Sequence, residues 1–401
     1  MTQSPETVGQ SNANAPQVDY DHHIDSDLRP LWTHMREACP VAFSPHHGGF
    51  WVASTYDTIS EVAHDPQNYS STYVTVPPQL GIGDMGMPPL TTNPPEHGPI
   101  KGVLTTAFTV PKVAQLEPMV SAIIDAALDA VADKSSFDAS HEFARVVPMF
   151  TIARLLGLPA EDDAKFTDWV YRMVELAGED ESFVAGMELL EYFNDKLTER
   201  QKRPGTDLIT YLTQAEADGR MLDDAEIILA SMALLLAGID TTWSTLSAAI
   251  LHLAKHPDHQ QALRDHPEQI LTACEEFLRY YAPVTVARQA TTDQQLAGCP
   301  VQAGQMVLMP FGSANRDETR FENADQLVLD RTPNRHLAFG VGIHRCLGAN
   351  LARLELRLAL NAFLQRVPSF SLDVSKPVRW SQGQIRGPRT VPIIVDASAA
   401  Y

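Results

Sequence analysis

Residues 339–348 read Phe339-Gly340-Val341-Gly342-Ile343-His344-Arg345-Cys346-Leu347-Gly348, and this run decides how the chain is read. Two glycines precede the cysteine and a third follows it two residues on. Over 347–364, apolar residues recur at Leu347, Leu351, Leu354 and Leu358, with Arg353, Glu355 and Arg357 on the other faces. That is helical spacing. Cys346 therefore stands at the start of a helix, where free N–H groups and the helix dipole favour an anion and lower a thiol pKa. Glycines permit tight turns and let a flat group approach the backbone. A thiolate in an open, glycine-lined loop suits axial ligation of haem iron. A lone cysteine reads more simply as a small buried hydrophobe; the glycines around this one argue against that.

Two further segments lie upstream. Over 227–253 the chain is uncharged except for Asp240. A membrane span is the competing reading, but each half has 13 residues, and a spanning helix needs about 20. A mid-membrane charge costs a further 2.5–3.5 kcal/mol or so. A long helix buried through a protein interior fits better. Its centre is Ala237-Gly238-Ile239-Asp240-Thr241-Thr242. Gly238 leaves room for a ligand near the backbone, and Thr241 can bond back to the carbonyl four residues earlier and bend the helix. Asp240 beside a hydroxyl reads as a proton relay. The second segment is Glu276-Phe277-Leu278-Arg279, whose Glu and Arg share a helix face.

Together these stretches resemble the cytochrome P450 family. The run at 339–348 matches the haem-loop pattern Phe-Gly-x-Gly-x-x-x-Cys-x-Gly at every fixed position. Ala237-Gly238-Ile239-Asp240-Thr241 resembles the oxygen-activation motif, and Glu276-x-x-Arg279 the structural ion pair that locks the haem-loop region. The lock's usual third member, an Arg, is replaced by Gln326, so it is weakened or supplied otherwise. The resemblance spans about 28–395 and implies a mainly α fold with a minor β portion, with haem b (iron protoporphyrin IX) ligated through Cys346. By the same resemblance Phe339, Gly348 and Gly238 border the haem, and His97, Lys101, Arg288 and His344 meet its propionates. Lys101 stands where many relatives carry Arg, keeping the charge without the bidentate geometry. Ala233, Leu236 and Ala237 on the long helix, Val284, Val286 and Ala287 after Pro283, and Gln384 and Ile385 late in the chain face substrate. Gln384 and Thr285 are the polar handles in an otherwise apolar lining.

The bulk numbers set bounds. A net charge of −20 over 401 residues argues against nucleic acid or an anionic membrane as partner. Four cysteines, Cys39, Cys274, Cys299 and Cys346, form no CxxC pair and fit a reducing cytoplasm. The first 18 residues are polar, lack a signal core and read as disordered; the remainder, 19–401, reads as one haem domain. The long irregular stretch over 70–95 is expected to roof the substrate pocket. Strands are expected at 48–54, 284–290, 306–310 and 391–395, with helices dominating 111–282. The expected function is a soluble, bacterial-type monooxygenase that takes O2, a small hydrophobic substrate (terpenoid-like or aromatic) and electrons from an external ferredoxin or flavodoxin with its reductase. Arg345, Arg353 and Lys101 are the expected docking patch. Alternatives are a peroxide-driven enzyme, against which Asp240-Thr241 counts, and a haem sensor or carrier, which needs no proton path.

Overall fold

The computed structural model describes residues 15–21, 27–78, 86–175 and 180–396. Six helices frame the interior: α1 (Tyr56–His64), α2 (His97–Ala107), α3 (Val146–Leu155), α4 (Asp224–Lys255), α5 (Ile270–Tyr281) and α6 (Ala349–Arg366). Eight strands form two sheets: β1 (Val41–Ser44), β2 (Phe50–Ala53), β3 (Tyr69–Ser70), β4 (Ser136–Asp138), β5 (Thr285–Ala290), β6 (Met306–Pro310), β7 (Phe370–Leu372) and β8 (Pro392–Val395). The larger sheet runs β1-β2-β6-β5-β3, with β2 and β6 parallel and its other pairs antiparallel. The smaller runs β7-β8-β4.

The long helix forms where the sequence directs it. Asp223 accepts from the Glu226 N–H at 2.8 Å, and the Glu226 carboxylate accepts from the Asp223 N–H at 2.9 Å, a closed capping box. From there α4 runs 32 residues, apolar on nearly every side. It has the length and composition of a membrane span, yet Leu235, Trp243, Leu246 and Leu253 are fully buried within the fold, in the interior that α3 and α6 share. Each such side chain contributes about 1.5–3 kcal/mol of burial. β6 is buried along its whole length, as its unbroken apolar run demands of a central strand.

Some boundaries differ from expectation. The helix after the cysteine begins at Ala349 with Gly348 as its cap, so Cys346 and Leu347 lie in the loop. Residues 1–14 of the expected tail lie outside the described residues. Its end does not: Gln17 bridges Phe43 in parallel and the Val18 N–H donates to Phe43 O at 2.9 Å. These residues add to the β1 edge, which corrects the boundary at 18. The helical stretch over 111–282 is interrupted by β4 and by a short hairpin of Glu216–Ala217 with Arg220–Met221.

Candidate active site

The cysteine loop is shaped by its glycines and held from behind. Gly340 and Gly342 adopt φ +64° and +75°. At Gly342 a Cβ would stand 2.2 Å from Ala63 O at the end of α1, so no larger residue fits. The Cys346 N–H donates to Phe339 O at 2.7 Å. Helix α2 supports the next turn. The two His97 ring nitrogens lie 3.1 Å from Ile343 O and 3.0 Å from Pro89 O, and Lys101 Nζ donates to Arg345 O at 2.7 Å. Burial holds the pKa of both His97 and Lys101 down. The two residues expected at a propionate thus grip loop carbonyls, and of the two only Lys101 reaches the cavity wall.

The loop opens onto a cavity of about 360 Å³. Ala233, Leu236, Ala237, Val284, Val286, Gln384 and Ile385 all line it, together with Gly238, Thr241, Arg288, Phe339, His344, Cys346 and Gly348. Met87, Pro89 and Leu90 close one side, as expected of the irregular segment; residues 79–85 of that segment lie outside the described residues. The wall is mostly apolar, which suits a hydrophobic guest.

Several polar groups on this wall lack the anion they are suited to. Arg288 is 6% exposed, and the bond it makes goes to its neighbour's carbonyl, Ala287 O, at 2.8 Å. Among the described residues no carboxylate acts on it, and burial depresses its pKa to about 10. His344 Nε2 is buried without a hydrogen-bond partner. Burial, then Arg288, His97 and Lys101, push the His344 pKa down to about 2. At Gly348 an added Cβ would meet nothing within 4 Å. A flat group carrying carboxylates would fit all three observations, with Arg288 and His344 to hold the carboxylates and Gly348 leaving room beside Cys346. Haem has that chemistry.

The thiol itself departs from expectation. Although Cys346 is exposed toward the cavity, desolvation by the surrounding protein is the largest influence on its pKa and pushes it up, against the Gly348 N–H and Lys101, Arg345 and Arg353. A bound cation at the sulfur would favour the thiolate.

On α4, Thr241 Oγ1 donates to Ala237 O at 2.8 Å, the expected back-bond, and faces the cavity. Asp240 does not. Its buried carboxylate turns away and accepts from Arg389 at 2.7 Å and from Ser244 Oγ at 3.4 Å. Burial raises its pKa while Arg389 and Ser244 oppose that. Gly238 is not forced by packing, since an added Cβ would sit 3.6 Å from Ile152, ordinary contact.

A sequence profile described as Cytochrome P450 matches residues 184–379. The mycinamicin IV hydroxylase/epoxidase of Micromonospora griseorubida is 33% identical over 376 residues, covering 90% of this chain and 94% of that protein. The vitamin D3 dihydroxylase of Streptomyces griseolus is 34% identical over 340 residues, 81% of this chain and 82% of the relative. The chain belongs to the cytochrome P450 family. The solved structure of CYP109E1 from Bacillus megaterium with testosterone superposes on this P450 with a TM-score of 0.84 at 31% identity, covering 93% of this chain and all of that one. The protein is accordingly a P450 monooxygenase with haem as its cofactor.

The Glu276–Arg279 ion pair forms and takes an unexpected third member. Arg279 and Glu276 have no exposed side-chain surface and pair at 2.7 and 2.8 Å. Gln326 lends its carbonyl to Arg279, but the added cation is Arg331, with Nε 3.0 Å from Glu276. Asn334 Nδ2 and the Val328 N–H complete the carboxylate's partners. The expected docking patch is smaller than its sequence suggests. Arg353 is paired bidentately with Glu275 at 2.7 and 2.8 Å and lies over the Phe339 ring, leaving Arg345 as the exposed cation beside the loop.

Sequence reading missed Arg389, Arg331 and Glu355. Glu355 is buried on the cavity wall beside Thr151 and Thr242, and burial pushes its pKa up to about 8. Only Glu355 carried a signal, a carboxylate two residues after Arg353 on the helix behind the cysteine.

Proposed function

We propose that this P450 hydroxylates or epoxidises a compact hydrophobic molecule, terpenoid-like or aromatic, in the cytoplasm, with electrons from an external ferredoxin or flavodoxin and its reductase. The overall reaction is RH + O2 + NAD(P)H + H⁺ → ROH + H2O + NAD(P)⁺. The observation that carries this reading is the mostly apolar cavity with Cys346 on its wall and the Thr241 hydroxyl on the α4 side. The relatives' names speak of mycinamicin IV and vitamin D3, and one solved relative holds testosterone, which supports a hydrophobic guest. Bound haem supplies the oxygen-activating iron, and a thiolate ligand favours O–O cleavage.

The chain's own residues do the rest. Cys346 Sγ would ligate the iron, and the Cys346 N–H is held by Phe339 O. Arg288 and His344 would hold the propionates, while His97 and Lys101 fix the loop by its carbonyls. Val284, Val286, Ala233, Leu236, Ala237 and Ile385 exclude water from the substrate, and Gln384 Nε2, bonded to Val74 O at 3.0 Å, is the polar handle at one edge. Thr241 Oγ holds a proton at the cavity wall and hands it inward when its bond to Ala237 O breaks. Asp240 replenishes that proton after turning from Arg389. A retained acid-alcohol pair favours this over the peroxide-driven and carrier readings.

The test is a spectral titration with terpenoids, aromatics, fatty acids and testosterone. It is followed by turnover of each binder with ferredoxin, reductase and NADPH, and separately with peroxide alone. Oxygenated product in the first arm is expected; product only with peroxide, or in neither arm, overturns the reading.

A further inference from the structure

Arg389 ends a loop whose other extremity reaches the cavity. Residues 379–389 close on themselves: the Arg389 N–H donates to Arg379 O at 2.7 Å, the Ser381 N–H to Gly387 O at 2.9 Å, and Ser381 Oγ to Ile385 O at 2.8 Å. At the tip, Gln384 O accepts from the Thr285 N–H at 2.8 Å, and Gln384 and Ile385 line the cavity. At the base, Arg389 is buried over the Trp243 ring at 4.3 Å and donates to Asp240 at 2.7 Å and Ser244 Oγ at 3.1 Å. In between, the loop presses on α4 at Gly387, where a Cβ would stand 2.3 Å from Ser244 Cβ. One piece of chain, closed by its own hydrogen bonds, therefore touches both the substrate space and the carboxylate assigned to proton delivery.

We propose that Arg389 is a positioning residue that couples the substrate-contacting loop tip at Gln384 and Ile385 to Asp240. This rests on the relay role of Asp240 proposed above and adds what holds that carboxylate and what moves it. A buried carboxylate stays ionised only with a close cation. Arg389 supplies the cation and points the carboxylate away from Thr241. Pressure on Ile385 from a bound molecule moves the loop, lengthens the Arg389–Asp240 contact and frees Asp240 to take up a proton and turn inward. The other charged groups around this place are His141 and Arg145 before α3, Asp138 on β4 and Arg379 on the loop. Burial and then Arg145 hold the His141 pKa below its usual value, against Asp138.

The test uses the haem-loaded protein with ferredoxin, its reductase and NADPH and no added substrate, following NADPH + H⁺ + O2 → NADP⁺ + H2O2 from pH 6 to 9. In Arg389→Gln the alkaline limb moves up by about 1–3 pH units, the effect of losing an adjacent opposite charge. Arg389→Lys moves it back toward wild type. Gly387→Ala, which alters no charge but pushes the loop off Ser244, moves it in the same direction as Arg389→Gln. In an Asp240→Asn background Arg389→Gln adds no shift. A second readout needs no turnover. A raised carboxyl pKa makes stability fall as pH rises toward that pKa, so the melting-temperature gap between Arg389→Gln and wild type widens from pH 5 to 8. A gap constant with pH and an unmoved profile make Arg389 a packing residue and overturn the proposal. An unmoved profile in Gly387→Ala alone overturns the coupling through the loop. If Asp240→Asn itself matches wild type, the relay reading fails instead.

Discussion

Arg279→Ala should cost this P450 more than any other single truncation outside the cysteine loop. Arg279 has no exposed side-chain surface and spends five donor bonds: two on Glu276 at 2.7 and 2.8 Å, and three on Asn315 O, Ala324 O and Gln326 O at 2.7–2.8 Å. Removing one partner of a buried pair costs about 3–5 kcal/mol. At about 2.1 cal/mol/K per residue of unfolding entropy, the 401-residue chain converts this to a fall of about 4–6 °C in melting temperature. Arg331→Ala should cost less, about 1.5–3 kcal/mol for bonds to a charged group, because Glu276 keeps Arg279. The double variant should fall short of the sum, since both arginines share one carboxylate. Thermal melts by circular dichroism, with haem content measured alongside, decide the matter. Arg279→Ala melting within about 1 °C of wild type, or Arg331→Ala proving the costlier, would overturn this ranking.

Cys346→Ala should abolish the strongly red-shifted Soret band of the ferrous carbon-monoxide complex, and a surviving band would dismiss Cys346 as ligand. Thr241→Ala should bind substrate normally but divert NADPH to peroxide, whereas Asp240→Asn should slow turnover by about 10²–10⁴-fold; product per NADPH, with peroxide counted, separates the two. Gly342→Ala should lose at least about 2 kcal/mol and much of its haem, because φ +75° disfavours a Cβ and that Cβ meets Ala63 O at 2.2 Å. Glu355, pushed up to about 8, holds a proton in the fold that the unfolded chain releases above about pH 4.3, so its contribution is lost as pH rises through that window. Glu355→Gln should therefore gain on wild type in melting temperature from pH 5 to 8, and a pH-independent difference would contradict the assignment.

Local chemistry was legible in the sequence. The cysteine loop, the capped apolar helix and the Glu276–Arg279 pair each declare themselves within a few residues, because turns, caps and helix faces are short-range physics. What stayed hidden depends on distant contacts. Arg389 lies 149 residues from Asp240 in sequence, and only the fold sets them 2.7 Å apart. Arg331 replaced the expected third member of the lock because a loop, with no periodicity to read, brought it to Glu276. The sequence places Cys346 at a helix start, which would acidify it; the helix begins three residues later, and desolvation pushes the thiol pKa up.

The grip of α2 on the cysteine loop has a consequence for how haem is acquired. Ile343 O and Arg345 O, the carbonyls flanking His344, are engaged by His97 and Lys101, side chains one helical turn apart on α2. Fixing a residue's backbone costs about 1–2 kcal/mol of entropy. Here that ordering is done by the protein's own interior bonds and is not charged to the ligand. His97 and Lys101 thus order the loop that carries the cysteine, and a change at either should surface first as faster haem loss.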